Sequence, residues 1–415
     1  MKRIAVLTIV AVMTLSAVAG ANGGAIASQP AAQAPDHRFL RGTSATDIPF
    51  EMNSNHIYVT ATVNGSRPLS FIFDTGAEMT VLDSAVARDL GLETAGALTA
   101  QGSGEKTADG TFAKGVSLTI GGATAVDLSV VAISLDDLTT IEGRKLDGIA
   151  GYDFLSRFLV EIDYPRQRIN LFDRKSFVYK GKGEHVPFTL VQNVPRVRAT
   201  VTTTAGSEFA GEFTVDTGSR SALSLNTPFV DRNPALLALA NESRLAPFGF
   251  GIGGETKTRV GRVAGFRIGR FTLANVVTGF SRDAKGADST ADLAGNIGGE
   301  ILRRFRVTID YDHLDMVLEP TSALSQPFEY DMFGAILVKD GGDVVIFRVV
   351  DASPASDAGL ASGDAIVAIG GRATRAMTLD AVQRLFRSKP GKRLRLTIRT
   401  KTDERRVDVT LRRLV

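Results

Sequence analysis

Cysteine and tryptophan are both absent from the 415 residues, and histidine occurs four times. Without thiols there is no disulfide, no thiolate nucleophile and no cysteine to acylate, so the core must hold the fold together. The histidines, His37, His56, His185 and His313, form no His-Glu-x-x-His pair, and each reads as a surface or satisfied residue rather than a metal ligand. No Gly-x-Ser-x-Gly nucleophile elbow occurs. The six tyrosines are scattered without basic-aromatic interleaving and no nucleic-acid motif is present, so nucleic acid is not an expected partner. Gly249 to Gly254 has the spacing of a dinucleotide fingerprint, but polar Glu255 to Thr258 follows where an apolar helix is required. These exclusions leave no cofactor and no metal implied.

Net charge is a weak +3, with residues 329–415 carrying 16 basic against 11 acidic side chains, which reads as a solvated face. The apolar run Ile4 to Val18 follows Met1-Lys-Arg and ends in small residues, the pattern of a secretory signal peptide over residues 1–21. It falls below the ~20 residues of a spanning helix. The expectation is an exported protein, periplasmic or secreted, with membrane attachment only if this segment stays uncleaved. Residues 22–46 are expected to be a linker, rich in Ala, Gly, Ser, Gln and Pro up to Gln33, with the fold beginning at Asp47.

What the chain does contain is a repeat. Phe71 to Ala77 delivers an apolar run onto Asp-Thr-Gly, and Phe213 to Ser219 does so again 142 positions later. A lone triplet carries little weight, because an Asp accepting turn amides explains it. The surroundings repeat too. Ile48 to Val63 aligns without a gap on Val186 to Val201 with seven identical pairs, and Ile149 to Tyr164 aligns on Asn296 to Tyr311, sharing Gly151/Gly298, Phe158/Phe305 and Asp163-Tyr164/Asp310-Tyr311. The offset grows from 138 to 142 to 147, as loop insertions would make it. Two like units are therefore expected, residues 47–174 and 185–320, each presenting one Asp-Thr-Gly turn at a strand end.

If the units pack about a pseudo-two-fold axis, Asp74 and Asp216 face each other. Two adjacent carboxylates share a proton, and such a pair can activate a water while hydrogen-bonding a carbonyl. Gly76 and Gly218 would then allow close approach and supply amides, while Thr75 and Thr217 would bond across the axis. Ser219 can add a hydroxyl to its carboxylate's network where Ala77 cannot, which makes Asp74 the expected proton holder.

From Asp47 to Pro320 the chain resembles a tandem duplication of the retropepsin-like aspartic protease unit. The resemblance implies an all-β fold of two homologous β-barrel-like units with one active site between them. It implies Asp74 and Asp216 as the catalytic pair, supported by Thr75, Gly76, Thr217, Gly218 and Ser219, and protein or peptide substrates. The apolar-apolar-Gly element that supports each turn matches Ile149, Ala150 and Gly151, while Asn296, Ile297 and Gly298 depart at the first position. Substrate-binding flaps would lie at Gly102, Ser103 and Gly104 and at Gly251, Ile252 and Gly253.

Residues 329–415 resemble a PDZ domain, through Gly359-Leu-Ala-Ser-Gly-Asp364 and the helix expected after Leu379. That resemblance implies capture of peptide C-termini by the loop Phe333, Gly334, Ala335 and Ile336. The reading is an aspartic endopeptidase whose PDZ domain recruits or gates peptides. The alternative is an inactive or latent peptide-binding protein on the same folds.

Overall fold

The computed structural model describes residues 36–102, 106–245, 249–251 and 254–415. The expected signal peptide lies outside them, as do Ser103, Gly104, Ile252 and Gly253 of the expected flaps.

Each Asp-Thr-Gly turn is placed by the same strand wiring. His56–Val63 buries Ile57, Val59, Ala61 and Val63 in the main core, and reverses at Asn64 and Gly65, whose φ values of 49° and 75° suit a two-residue hairpin. It returns as Leu69–Phe73, which pairs in parallel with Gly148–Ala150, itself antiparallel to Val81–Asp83. The Asp74 amide continues that ladder, donating to the Ala150 carbonyl at 3.0 Å. In the second half Glu208–Val215 pairs in parallel with Gly295–Ile297, itself antiparallel to Leu223–Leu225, and the Asp216 amide donates to Ile297 at 3.0 Å. A short helix follows each supporting strand, Tyr152–Leu155 after Gly151 and Gly299–Leu302 after Gly298.

The halves meet in one sheet. Leu159–Asp163 pairs antiparallel with Phe305–Asp310, Val160 opposite Ile309 and Asp163 opposite Arg306. Outward on one side lie Arg168–Phe172 and Ser44–Pro49, and on the other Asp315–Pro320 and Glu184–Val191. Three strands from each half thus make a continuous ladder, and one hydrophobic core holds Phe71, Phe73, Phe154, Phe158, Phe213, Phe266 and Phe305 together.

Ordered structure starts earlier than Asp47. His37–Phe39 pairs with Ala123–Ala125, and Ser44–Pro49 completes the shared sheet, so the expected linker over residues 22–46 is corrected from residue 37 onward. These strands are too short to show a period; long-range contacts order them. Arg157 donates to Asp36 at 2.7 Å, and His37 packs edge-on against Phe39 and Phe158. Beyond the second turn, Thr227–Asp231 and Pro234–Glu242 form the expected helical insert, each with proline in its first turn.

Residues 335–410 fold into a separate six-stranded sheet with its own core, in which Phe333 and Phe386 stack at 4.1 Å. Its helix Leu379–Phe386 is capped by Thr378. This sheet docks on the first half. The helix Asp136–Glu142 sets Ile141 against Val338, while Ser54 donates its amide to Asp380 at 3.0 Å and its hydroxyl to Gln383 at 2.8 Å. Gly143 ends that helix with φ of 59°, and a Cβ there would stand 2.8 Å from Lys339 and 2.9 Å from Leu379. The connecting segment is fastened by fully buried Arg304, which donates to the carbonyls of Ala323, Gln326 and Pro327 and stacks on Phe328.

Candidate active site

Asp74 and Asp216 lie side by side at the interface of the two halves, 3 % and 1 % exposed. Each glycine of one turn backs the carboxyl of the other. A Cβ on Gly218 would stand 2.2 Å from Cγ of Asp74, and one on Gly76 would stand 2.7 Å from Cγ of Asp216. No other residue fits at either place. The same glycines serve their own aspartates: the Gly76 amide donates to Asp74 Oδ1 and the Gly218 amide to Asp216 Oδ1, both at 2.8 Å.

The threonines cross the axis. Thr75 Oγ1 accepts from the Thr217 amide at 3.0 Å and donates to the Val215 carbonyl at 2.7 Å, while Thr217 Oγ1 accepts from Thr75 at 3.0 Å and donates to Phe73 at 2.7 Å. These four reciprocal bonds, all buried, fix the separation of the turns.

Burial pushes both carboxyls above the ordinary aspartate range. Asp74 goes further, because the charge of Asp216 adds to the burial, against the amides of Gly76 and Gly218. Asp216 is drawn back by Nδ2 of Asn296, which donates to its Oδ2 at 2.7 Å, by a hydrogen bond from Asp74 and by the Gly218 amide. Of the two, Asp74 is thus raised the more strongly, and the carboxyls titrate as one coupled pair. The hydroxyl that the sequence reading expected to serve Asp216 is engaged elsewhere. Ser219 Oγ is bonded to Ser221 Oγ at 2.8 Å and leaves Asp216 alone. Asn296, noted only as a departure from an apolar pattern, supplies the asymmetry from the position Ile149 holds in the first half.

A second buried network ties the halves beside the pair. Glu142, at the end of Asp136–Glu142, is 2 % exposed. Burial opposes its charge, but Arg220 and His56 outweigh that and hold the carboxyl well below the usual range. Arg220 is in direct contact with Oε1, Tyr58 donates to Oε2 at 3.0 Å, and His56 Nδ1 lies 3.2 Å from Oε2. Sequence reasoning missed all of this. Glu142 sits on a seven-residue helix with no visible period, although Arg220, directly after Ser219, was a positional cue.

One cavity of about 390 Å³ is lined by Asp74, Gly218, Ile72, Ile149 and Asn296, and also by Ala335 and Ile336 of the C-terminal sheet. Its size suits a ligand of several residues' side chains. Asp288 lines it too, its carboxyl pushed up to about 7 by burial and by the charges of Asp283 and Asp216. Of the expected flaps, the first is the hairpin Thr94–Gln101 and Thr107–Ile120, with Gly102 at its described edge accepting from the Ala287 amide of the second half at 3.1 Å. The second is Gly249–Gly251 paired with Gly254–Thr256. Gly102 is not among the residues lining the cavity. Phe333 is buried in its own core, and Gly334 has φ of 81° at the mouth of the loop. Among the described residues no group of three or more His, Asp or Glu side chains has the geometry of a metal site, and no helix is long and apolar enough to cross a membrane.

No curated protein matches the chain. Residue 216 lies outside the stretches matched by family models, so the equivalence of the second turn rests on the repeated strand wiring above. Residues 59–154, which contain Asp74 and its supporting strand, match the aspartyl protease family, a family of protease-type hydrolases, and residues 345–400 match the PDZ domain family.

Proposed function

We propose that the protein is an aspartic endopeptidase with one active site, built from both halves around Asp74 and Asp216. The observation that carries the reading is the pairing itself: two buried carboxyls, each backed by the other turn's glycine, with Asp74 on the wall of a cavity large enough for a peptide. In this reading ionised Asp216 takes a proton from a water held between the carboxyls, and protonated Asp74 donates to the scissile carbonyl. The water oxygen bonds to the carbonyl carbon. Collapse of the tetrahedral species breaks the C–N bond, and the proton taken by Asp216 passes to the leaving nitrogen. No covalent enzyme intermediate is needed. The second proton returns to Asp74 as the carbonyl re-forms, which restores the starting state.

The PDZ segment serves recruitment in this account, because Ala335 and Ile336 of its loop line the cavity that Asp74 lines. Export to the periplasm or beyond, argued from residues 1–21, is part of the same proposal. The test is cleavage of a denatured protein mixture by residues 34–415, beside Asp74→Asn and Asp216→Asn, from acidic to neutral pH. Loss of at least about 10³-fold in both variants is expected. Equal products from all three would refute it, and no cleavage by the parent at any pH would favour the peptide-binding reading. A gating role for the PDZ segment draws on its docking against the helix that carries Glu142. Separating the contact with Val338→Glu should then raise activity on every substrate, whereas recruitment predicts a loss confined to substrates with a free C-terminus.

A further inference from the structure

The loop from Phe333 to Ala335 is already occupied, by the chain itself. Oδ2 of Asp331 accepts from the Gly334 amide at 2.5 Å, and the flanking amides of Phe333 and Ala335 also favour the ionised form of that carboxyl. Successive backbone amides around a glycine of positive φ form an anion nest, the device that captures a terminal carboxylate in peptide recognition, and here its central amide holds a carboxylate of the chain itself. The nest depends on Gly334, whose φ of 81° turns the backbone and where a Cβ would stand 2.2 Å from Ser353.

We propose that Asp331 is an internal stand-in ligand, its carboxylate filling the nest that a peptide's terminal carboxylate would take, so that a peptide end enters only as Asp331 yields. The inference rests on the reading of this segment as a binder of peptide ends. It adds which group competes and where the competition is settled. Asp331, Ala335 and Arg387 line the same cavity as Asp74, so the exchange takes place in view of the carboxyl pair.

The stand-in is held imperfectly. Three amides and a cation ordinarily keep a carboxylate ionised to low pH. Here burial wins over the three amides and Arg387, and the carboxyl is pushed up to about 6. Arg387 faces it from the C-terminal cap of Leu379–Phe386. From the connecting segment come Tyr330, pushed up to about 12 by burial and by Asp331 itself, and Glu329, which is paired with Arg413 at 2.6 Å. Between pH 8 and pH 5 Asp331 loses its charge on acidification, as does Asp288 elsewhere on the cavity wall, and once protonated Asp331 accepts poorly from the amides. Terminal carboxylates, with lower pKa values, stay ionised. Acidification therefore opens the nest to peptide ends.

The test follows the Gly334 amide resonance of the isotope-labelled full chain during titration with N-acetyl-Ala-Ala-Val, as free acid or as amide, at pH 5 and pH 8. The expected parent response is to the free acid at pH 5, with binding at least about tenfold weaker at pH 8. Asp331→Ala should respond to the free acid equally at both pH values, and Asp331→Asn should lose the pH dependence while keeping the side chain's shape. The amide should move nothing. Parent binding at pH 8 as tight as that of Asp331→Ala would overturn the inference, and so would an Asp331→Ala protein that never responds. Cleavage by the same parent preparation separates the two readings. Cleavage without a Gly334 response sinks the stand-in and spares the protease, and a response without cleavage does the reverse.

Discussion

The two Asp-Thr-Gly turns are copies in backbone and opposites in surroundings. Leu69–Phe73 with Gly148–Ala150 and Glu208–Val215 with Gly295–Ile297 have the same parallel register, with the Asp amide bonded to the last residue of the supporting strand in each. The side chains around them diverge. Where the first half offers apolar Ile149, the second offers the amide of Asn296, which donates to Asp216. Four residues after each aspartate stand buried Glu78 in one half and Arg220 in the other. Symmetric backbone brings two carboxyls together; asymmetric side chains make their surroundings, and the rise in their pKa values, unequal.

The comparison breaks most severely at the glycines. Gly218→Ala would drive a methyl to 2.2 Å from Asp74, and Gly76→Ala to 2.7 Å from Asp216. Both should abolish peptide cleavage, and a fold that survives, checked by circular dichroism, would locate the damage at the carboxyls. Next in size is the clasp between the halves. Arg220→Met leaves Glu142 buried without its main partner, at a cost of about 3–5 kcal/mol in denaturant unfolding at neutral pH. The sign with pH is specific. Glu142 is held low in the native parent, so its contribution is present above the ordinary carboxylate pKa and fades on acidification. In the variant burial is unopposed by Arg220 and raises that pKa, so the gap between parent and variant should narrow as pH falls.

A finer test restores the symmetry. Asn296→Ile copies Ile149 into the second half and removes a donor to ionised Asp216, whose pKa must rise. The acid limb of kcat/KM should move up by about one unit, narrowing the profile from below. An unmoved limb would mean that Asn296 does not set the asymmetry. The smallest effect is expected at Ser219, bonded to Ser221 rather than to the carboxyl. Ser219→Ala should leave both limbs within about 0.2 units.

The sequence made the pair legible because its signal was local and doubled. Asp, Thr and Gly sit in consecutive positions, the strands that deliver them repeat in order, and the PDZ-like segment has its own glycine pattern. What stayed hidden depends on partners distant in the chain. Glu142 meets Arg220 across 78 residues, Ser54 meets Asp380 across 326, and no local pattern encodes either. Asn296 was seen and misread, because a polar residue on a supporting strand looks like a defect until the carboxylate it serves is placed beside it. Asp331 lay two residues before a loop already picked out for binding carboxylates, yet its own carboxylate was not considered as the occupant.

The antiparallel pairing of Leu159–Asp163 with Phe305–Asp310 carries one more consequence. A site assembled from two separate chains exists only above the concentration at which they associate, and its two halves must be identical. Here the joining strands belong to one polypeptide, so the effective concentration of each half for the other is fixed by the connection rather than by expression level. Catalytic output per molecule should therefore be indifferent to dilution. Each half is also free to mutate alone, and that freedom is what placed an asparagine beside one carboxyl and an isoleucine in the corresponding position beside the other.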